Sequence, residues 1–167
     1  MDFEKICKER YSVRSFAEKN AESEKIDKIL ELVRLAPTAI NQQPYEIYVV
    51  TGREKVEELS PRTFGASTLI VICRDENKKW NNRYSGENQL LQDIGIVATT
   101  VIYGALEYGL DAIYVCNFDP DVVKEKLSLP KNLVASCVIP IGYRAENSKP
   151  SPMHYSRRKT EEFVHKI

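Results

Sequence analysis

Arg10-Tyr11-Ser12-Val13-Arg14-Ser15-Phe16 puts two arginines and two serines into one short stretch near the N-terminus. Its polar residues alternate with aromatic and branched apolar ones. That alternation predicts a segment pinned by its apolar side chains, with its donors facing one way. Arginine and serine together suit a doubly charged phosphate, because the guanidinium fork gives two charge-assisted bonds and a hydroxyl fills a remaining lone pair. The plainer reading is a helix ending at Arg10, whose charge complements the last carbonyls. Taken alone, the stretch favours the plainer reading, and the rest of the chain has to decide.

The chain of 167 residues is long enough for one domain with a real core, expected to span residues 1–167. Lys plus Arg equals Asp plus Glu at 24 each, so no net field draws it to nucleic acid or to an anionic membrane. Met1 is followed at once by charged residues rather than a signal-type apolar region, and no uninterrupted apolar run is long enough to span a bilayer. Cys7, Cys73, Cys116 and Cys137 form no CxxC pair, and three of them lie in apolar runs. They read as buried, reduced thiols of a cytoplasmic protein rather than as metal ligands or a disulfide frame.

Working outward, residues 2–9 read as a helix with Phe3, Ile6 and Cys7 on one face and Asp2 as its cap. Ser23 opens a second helix through Ala36, with Ile26, Ile29, Leu30 and Val33 at helical spacing, stopped by Pro37. Residues 38–44 are a loop and 45–51 a strand; a short helix follows with Val56 and Leu59 inward. The apolar run 68–73 reads as a buried strand. Residues 75–86 form a polar excursion or lid holding Trp80 and Tyr84, which either stack on a substrate or anchor the loop.

Residues 87–108 form the longest helix, apolar over so much of its circumference that a second subunit is the expected source of cover. A strand at 112–116, a helix capped by Asp119 and started by Pro120, and a strand at 133–143 follow. Pro140 inside that last strand predicts an edge or a bulge. The polar tail, residues 144–167, frays unless it docks.

The two histidines, His154 and His165, both lie in the tail, which leaves no HExxH and no Cys/His zinc spacing. GxSxG, GxxxxGKS and GxGxxG are absent as well. An enzyme with this inventory takes its reactive atoms from a cofactor.

The order of residues resembles the FMN-dependent nitroreductase family along nearly the whole chain. Arg10 to Phe16 is similar to that family's opening Arg-Arg-Ser-Val-Arg-x-Phe. Ala36-Pro37-Thr38-Ala39-Ile40-Asn41-Gln42-Gln43-Pro44 is similar to its Ala-Pro-Ser-x-x-Asn-x-Gln-Pro. Asp93-Ile94-Gly95, opening a helix that ends Glu107-Tyr108-Gly109-Leu110, resembles its Asp-x-Gly…Leu-Gly-Leu helix. Phe118-Asp119-Pro120, Leu127-Ser128-Leu129-Pro130, Ile141-Gly142-Tyr143 and the terminal Arg157-Arg158 complete the pattern. Each motif alone is weak; in this order they reinforce one another.

The resemblance implies an α+β nitroreductase-like fold: a mostly antiparallel central sheet flanked by helices, in an intertwined homodimer with FMN at the interface. By matching positions, Arg10, Ser12 and Arg14 hold FMN from one subunit, with Arg158 on the phosphate and Arg157 as the alternative. Tyr11, where the family often has Arg or His, packs its ring under that site. Pro37, Thr38, Ala39 and Asn41 contact the flavin from the other subunit. Cys116 and Asn117 lie near the redox edge, in place of a glycine-containing loop, and Arg62 lies near the pyrimidine. A cation there stabilises the negative charge that develops on reduction. Thr99-Thr100 departs from a common Gln-Asn pair, and the brief segment between Cys73 and Glu87 implies an open pocket.

The implied activity is ping-pong: NADH or NADPH reduces the flavin, leaves, and a small-molecule nitro, quinone or similar acceptor takes its place. The alternatives are a flavin-binding protein without turnover and a specialised FMN enzyme of the same fold, dehalogenase-like or flavin-modifying.

Overall fold

The computed structural model describes residues 2–167. Four strands make one antiparallel sheet: β1 (Tyr45–Thr51), β2 (Thr68–Asp75), β3 (Asp111–Ala112) and β4 (Leu133–Gly142), in the order β1-β2-β4-β3. Five helices surround it: α1 (Phe3–Glu9), α2 (Ser23–Arg34), α3 (Arg53–Leu59), α4 (Leu90–Glu107) and α5 (Pro120–Lys126).

Both faces of the sheet are covered, which is why β2 reads as a continuous apolar run rather than an alternation. Ile70, Ile72, Cys137, Ile139 and Ile141 face α2 and α4, packing on Ile26, Ile29, Val33, Val97 and Val101. Leu69, Val71, Cys73 and Val138 face the other way, onto Val56 and Leu59 of α3, Val123 of α5, and Tyr11, Val13 and Phe16. Gly104 lets α4 approach α2 closely: a Cβ there would stand 3.3 Å from Leu32 and 3.4 Å from Ile29. By length and composition α4 would also cross a membrane, but half of it is buried inside the fold.

Most boundaries agree with expectation, β1 at both ends, and the differences have local causes. Asp2 precedes α1 but makes no side-chain cap, and α2 stops at Arg34, where Leu35 and Ala36 turn to tighter i−3 bonds ahead of Pro37. The long helix starts at Leu90 rather than 87, because residues 80–89 close a small hairpin first. Asn81 bridges Asn88, and Gln89 N–H donates to the Trp80 carbonyl at 3.0 Å. Tyr84 at its tip is 82 % exposed, under the Arg83 guanidinium.

Pro140 corrects another expectation. Its strand, β4, is central rather than at an edge. Val115 and Val138 exchange both backbone bonds at 3.0 Å, so Ile113 and Pro140 fall in the next bonded pair. Only Ile113 can donate there, at 3.2 Å, because proline has no N–H to return. The missing bond falls on the side of the two-residue strand β3, leaving Val115 joined by an isolated bridge. The bulge sits elsewhere, at Ser136, where the register against β2 shifts between Ile72 and Cys73.

Candidate functional site

The segment after α1 runs as an extended strap. Phe16 bridges Arg144, its N–H donates to the Phe64 carbonyl at 3.0 Å, and Ala17 N–H donates to the Tyr143 carbonyl at 2.8 Å. Tyr11, Val13 and Phe16 are buried in the core, while Arg10, Ser12 and Arg14 turn outward. The backbone part of each reading is seen: α1 ends at Glu9, with Arg10 as its cap residue, and the alternating residues beyond it form a pinned segment.

The outward residues line a pocket of about 240 Å³ with Ser151, Met153, His154 and Arg157 of the tail. Three guanidiniums, two hydroxyls and an imidazole converge there, and no carboxylate lines it. Arg157 is steered by its own chain, donating to the carbonyls of Ser156 at 2.9 Å and Met153 at 3.3 Å. Arg158 is not part of the pocket. Its guanidinium donates to the Glu162 carbonyl, pairs with the Glu162 carboxylate at 3.7 Å and covers the Phe163 ring.

Tyr11 holds the tail in place. Its hydroxyl meets Ser148 Oγ at 3.1 Å and the Ser148 carbonyl at 3.3 Å. Arg144 stands over its ring at 4.8 Å and grips Asp111 through two guanidinium nitrogens at 2.7 and 2.5 Å. Such a bidentate pair to a buried carboxylate fixes the root of the tail, and pairing with Asp111 raises the Arg144 pKa.

Arg14 also lines a second pocket, of about 270 Å³, with Arg62, Phe64, Tyr114, Cys116 and Asn117. The hydrogen-bond network orients the Asn117 amide with its oxygen toward Arg62, accepting from Nε at 3.1 Å and Nη2 at 3.3 Å. Asn117 therefore holds the guanidinium while leaving Nη1 free. The expectation of four buried thiols holds for Cys73 and Cys137 only: Cys7 and Cys116 are exposed, Cys116 with its sulfur 4.0 Å from the Ser136 carbonyl, whereas burial pushes the Cys137 thiol up to about 12. Burial likewise raises the Tyr114 hydroxyl. The two pockets share Arg14, giving a groove with a cationic end and a mixed end. A separate hollow of about 530 Å³ along α2 and Tyr108 carries charges of both signs and none of the expected residues.

Pro37, Thr38, Ala39 and Asn41 stand apart from this groove, which none of them lines. Their loop is held in an uncommon shape. Ile40, Asn41 and Gln43 have φ of 49°, 56° and 47°, and a left-handed β-branched residue such as Ile40 is an outlier. Two contacts impose it. Buried Asp93, in the first turn of α4, accepts from Ala39 N–H at 2.9 Å, and Thr38 Oγ1 accepts from Gln43 N–H at 3.0 Å. Ile40 is left 68 % exposed at the tip. The sequence signal for Asp93 was its place in the Asp-x-Gly motif.

Residues 7–66 and 57–143 match the nitroreductase family. The chain belongs to that family. A solved nitroreductase-family structure from Clostridium difficile 630 superposes with a TM-score of 0.88 at 31% identity, covering 99% of this chain and 98% of the other. An FMN-dependent nitroreductase from Clostridium difficile R20291 superposes at 0.79 with 28% identity, covering 96% of each. The FMN reductase (NAD(P)H) of Bacillus subtilis is 26% identical over 84% of this chain and 65% of its own length. This nitroreductase-family chain therefore has relatives, at full or near-full length, that carry the fold described above.

Proposed function

We propose that this nitroreductase-family chain is an NAD(P)H oxidoreductase that binds FMN and reduces nitro, quinone or similar small acceptors by a ping-pong reaction, as a cytoplasmic homodimer. The observation that carries the proposal is the two-part groove, whose cationic, carboxylate-free end suits a phosphate dianion and whose other end offers Arg62. FMN, once bound, supplies the hydride-accepting and hydride-donating chemistry.

The chain's own residues bind, orient and bias. Arg10, Arg14 and Arg157 offset the two phosphate charges, and Ser12 and Ser151 fill remaining lone pairs. Arg62, held by Asn117, presents a fixed cation where negative charge grows on reduction, so it favours the reduced state without reorganising. Cys116 and Asn117 bring side chains to the groove wall. No side-chain base or nucleophile is required, which suits a chain with two histidines, both in the tail.

The homodimer reading rests on what one chain leaves uncovered. Leu91 and Ile96 of α4 are exposed, as are Leu35 and Ile40, which flank Pro37 in the chain. A second copy would cover them and could bring its Pro37–Asn41 loop over the groove.

The test is steady-state kinetics with FMN-loaded protein, varying NADH or NADPH against a nitroarene and a quinone. Parallel double-reciprocal lines are expected. Intersecting lines, or no turnover with either nucleotide, overturn the proposal.

A further inference from the structure

We propose that His154 is a proton-linked phosphate ligand, taking up a proton as a phosphate dianion enters. This rests on the reading of the groove as an FMN site, and it gives the tail a role beyond forming a wall.

The geometry is specific. His154 lines the cationic pocket beside Arg10, Arg14 and Arg157. Its imidazole plane is set by two edge contacts, Tyr155 at 5.1 Å and Tyr11 at 6.3 Å, with interplanar angles of 80° and 70°. Tyr11 is itself anchored to Ser148 and capped by Arg144. The ring therefore packs edge-on against two aromatics, of which Tyr11 is itself anchored, at the wall of the cavity.

The charges around it explain the linkage. From α1 comes Arg10, from the strap Arg14, from the tail Arg157, and behind Tyr11 lies Arg144. Of the carboxylates nearest that shell, Asp111 is gripped by Arg144, and Glu9, beside Arg10 in the chain, pairs with Lys5 at 3.7 Å. A fourth cation in this pocket is disfavoured: burial first, then Arg157 and Arg10, lower the His154 pKa from its ordinary value. A bound dianion offsets two of the three guanidinium charges and raises it.

The direction follows. A group whose pKa is higher in the bound state favours binding at low pH. That contribution is complete below its free-state value and is lost as pH rises through its bound-state value. The phosphate behaves oppositely. Its second ionisation lies near ~6, and arginines that prefer the dianion make it release protons on binding. His154 offsets that release, so FMN is held on the acid side of neutrality where the arginines alone would lose it.

The experiment is calorimetric titration of wild type and His154→Gln with FMN, from mildly acid to mildly alkaline pH, in buffers of different ionisation enthalpy. Riboflavin, which lacks the phosphate, is the control ligand. Wild type is expected to take up more protons per FMN than His154→Gln near neutrality. The ratio of their dissociation constants should grow as pH falls, by up to about tenfold for each unit of pKa shift. Riboflavin should show no difference between the two proteins. Equal proton uptake with tight FMN binding in both overturns the role of His154 alone. Failure of wild type to bind FMN overturns the site reading beneath it. Because wild-type proton exchange is measured without any substitution, a release as large at every pH as the phosphate's own ionisation accounts for also refutes the proposal, whatever the variant's stability.

Discussion

Replacing Asp93 by alanine separates a loop that is shaped for binding from one that merely packs. The carboxylate accepts from Ala39 N–H at 2.9 Å and sits in the first turn of α4. A hydrogen bond to a charged group contributes about 1.5–3 kcal/mol, and a carboxylate at a helix start about 0.3–1 kcal/mol. Against this stands the left-handed turn at Ile40 and Asn41, which stores about 1–3 kcal/mol of strain. Removing Asp93 releases that strain, so the net loss of stability is only about 1–2 kcal/mol. In a domain of this size that lowers the melting temperature by roughly 2–8 °C.

Binding does not share the compensation. Under the proposed contact between this loop and FMN, binding has to re-impose the strained turn, and about 1–3 kcal/mol corresponds to a rise in Kd of roughly 5- to 150-fold. Flavin-fluorescence titration and thermal melts on the same protein give both numbers. Asp93→Asn keeps an oxygen acceptor and should recover much of the affinity. The reasoning is refuted if Asp93→Ala costs several kcal/mol of stability while FMN affinity is unchanged, since the loop would then be packing and nothing more.

Arg10→Ala should weaken FMN binding by about 2 kcal/mol, one charge-assisted contact, while leaving riboflavin binding unaltered; equal affinity for FMN in wild type and variant would reduce Arg10 to a helix terminator. Arg157→Ala should cost a comparable amount and Arg158→Ala far less, because Arg158 is turned to Glu162; the reverse order in the same titration would contradict the tail geometry. Asn117→Ala should loosen the Arg62 guanidinium and lower the flavin midpoint potential, read by spectroelectrochemistry. Glu22 accepts from the Tyr143 hydroxyl at 2.7 and 2.9 Å, which holds its pKa at about 2 against an ordinary 4.5. Its folded-state pKa is depressed, so its stabilisation is present above 4.5 and lost as pH falls toward 2. Wild type should therefore lose melting temperature more steeply over that window than Tyr143→Phe.

The elements carried by side-chain periodicity were legible: the helical faces of α2 and α4, the apolar runs of β2 and β4, the Asp119-Pro120 start of α5. Their signals are local and repeat many times. The misplacements are where one contact outweighs a pattern. The Asn81–Asn88 bridge delays α4, and Pro140 survives in a central strand because the bond it forfeits faces the shortest neighbour. At the candidate site, Arg10, Ser12 and Arg14 could be paired from their alternation. The choice between Arg157 and Arg158 could not, since it depends on how Tyr11 and Ser148 rotate the tail. His154 was passed over as a tail residue for the same reason, and the work of Asp93 lies in a single bond to a backbone 54 residues away.

The most direct measurement is the visible spectrum of the purified protein, incubated with FMN, freed of excess by gel filtration, and then titrated anaerobically with NADH and with NADPH. The account predicts a yellow dimer that retains flavin and is bleached by at least one of the nucleotides, with colour restored by a nitro or quinone acceptor. A protein that elutes colourless, or a bound flavin that neither nucleotide bleaches, contradicts it.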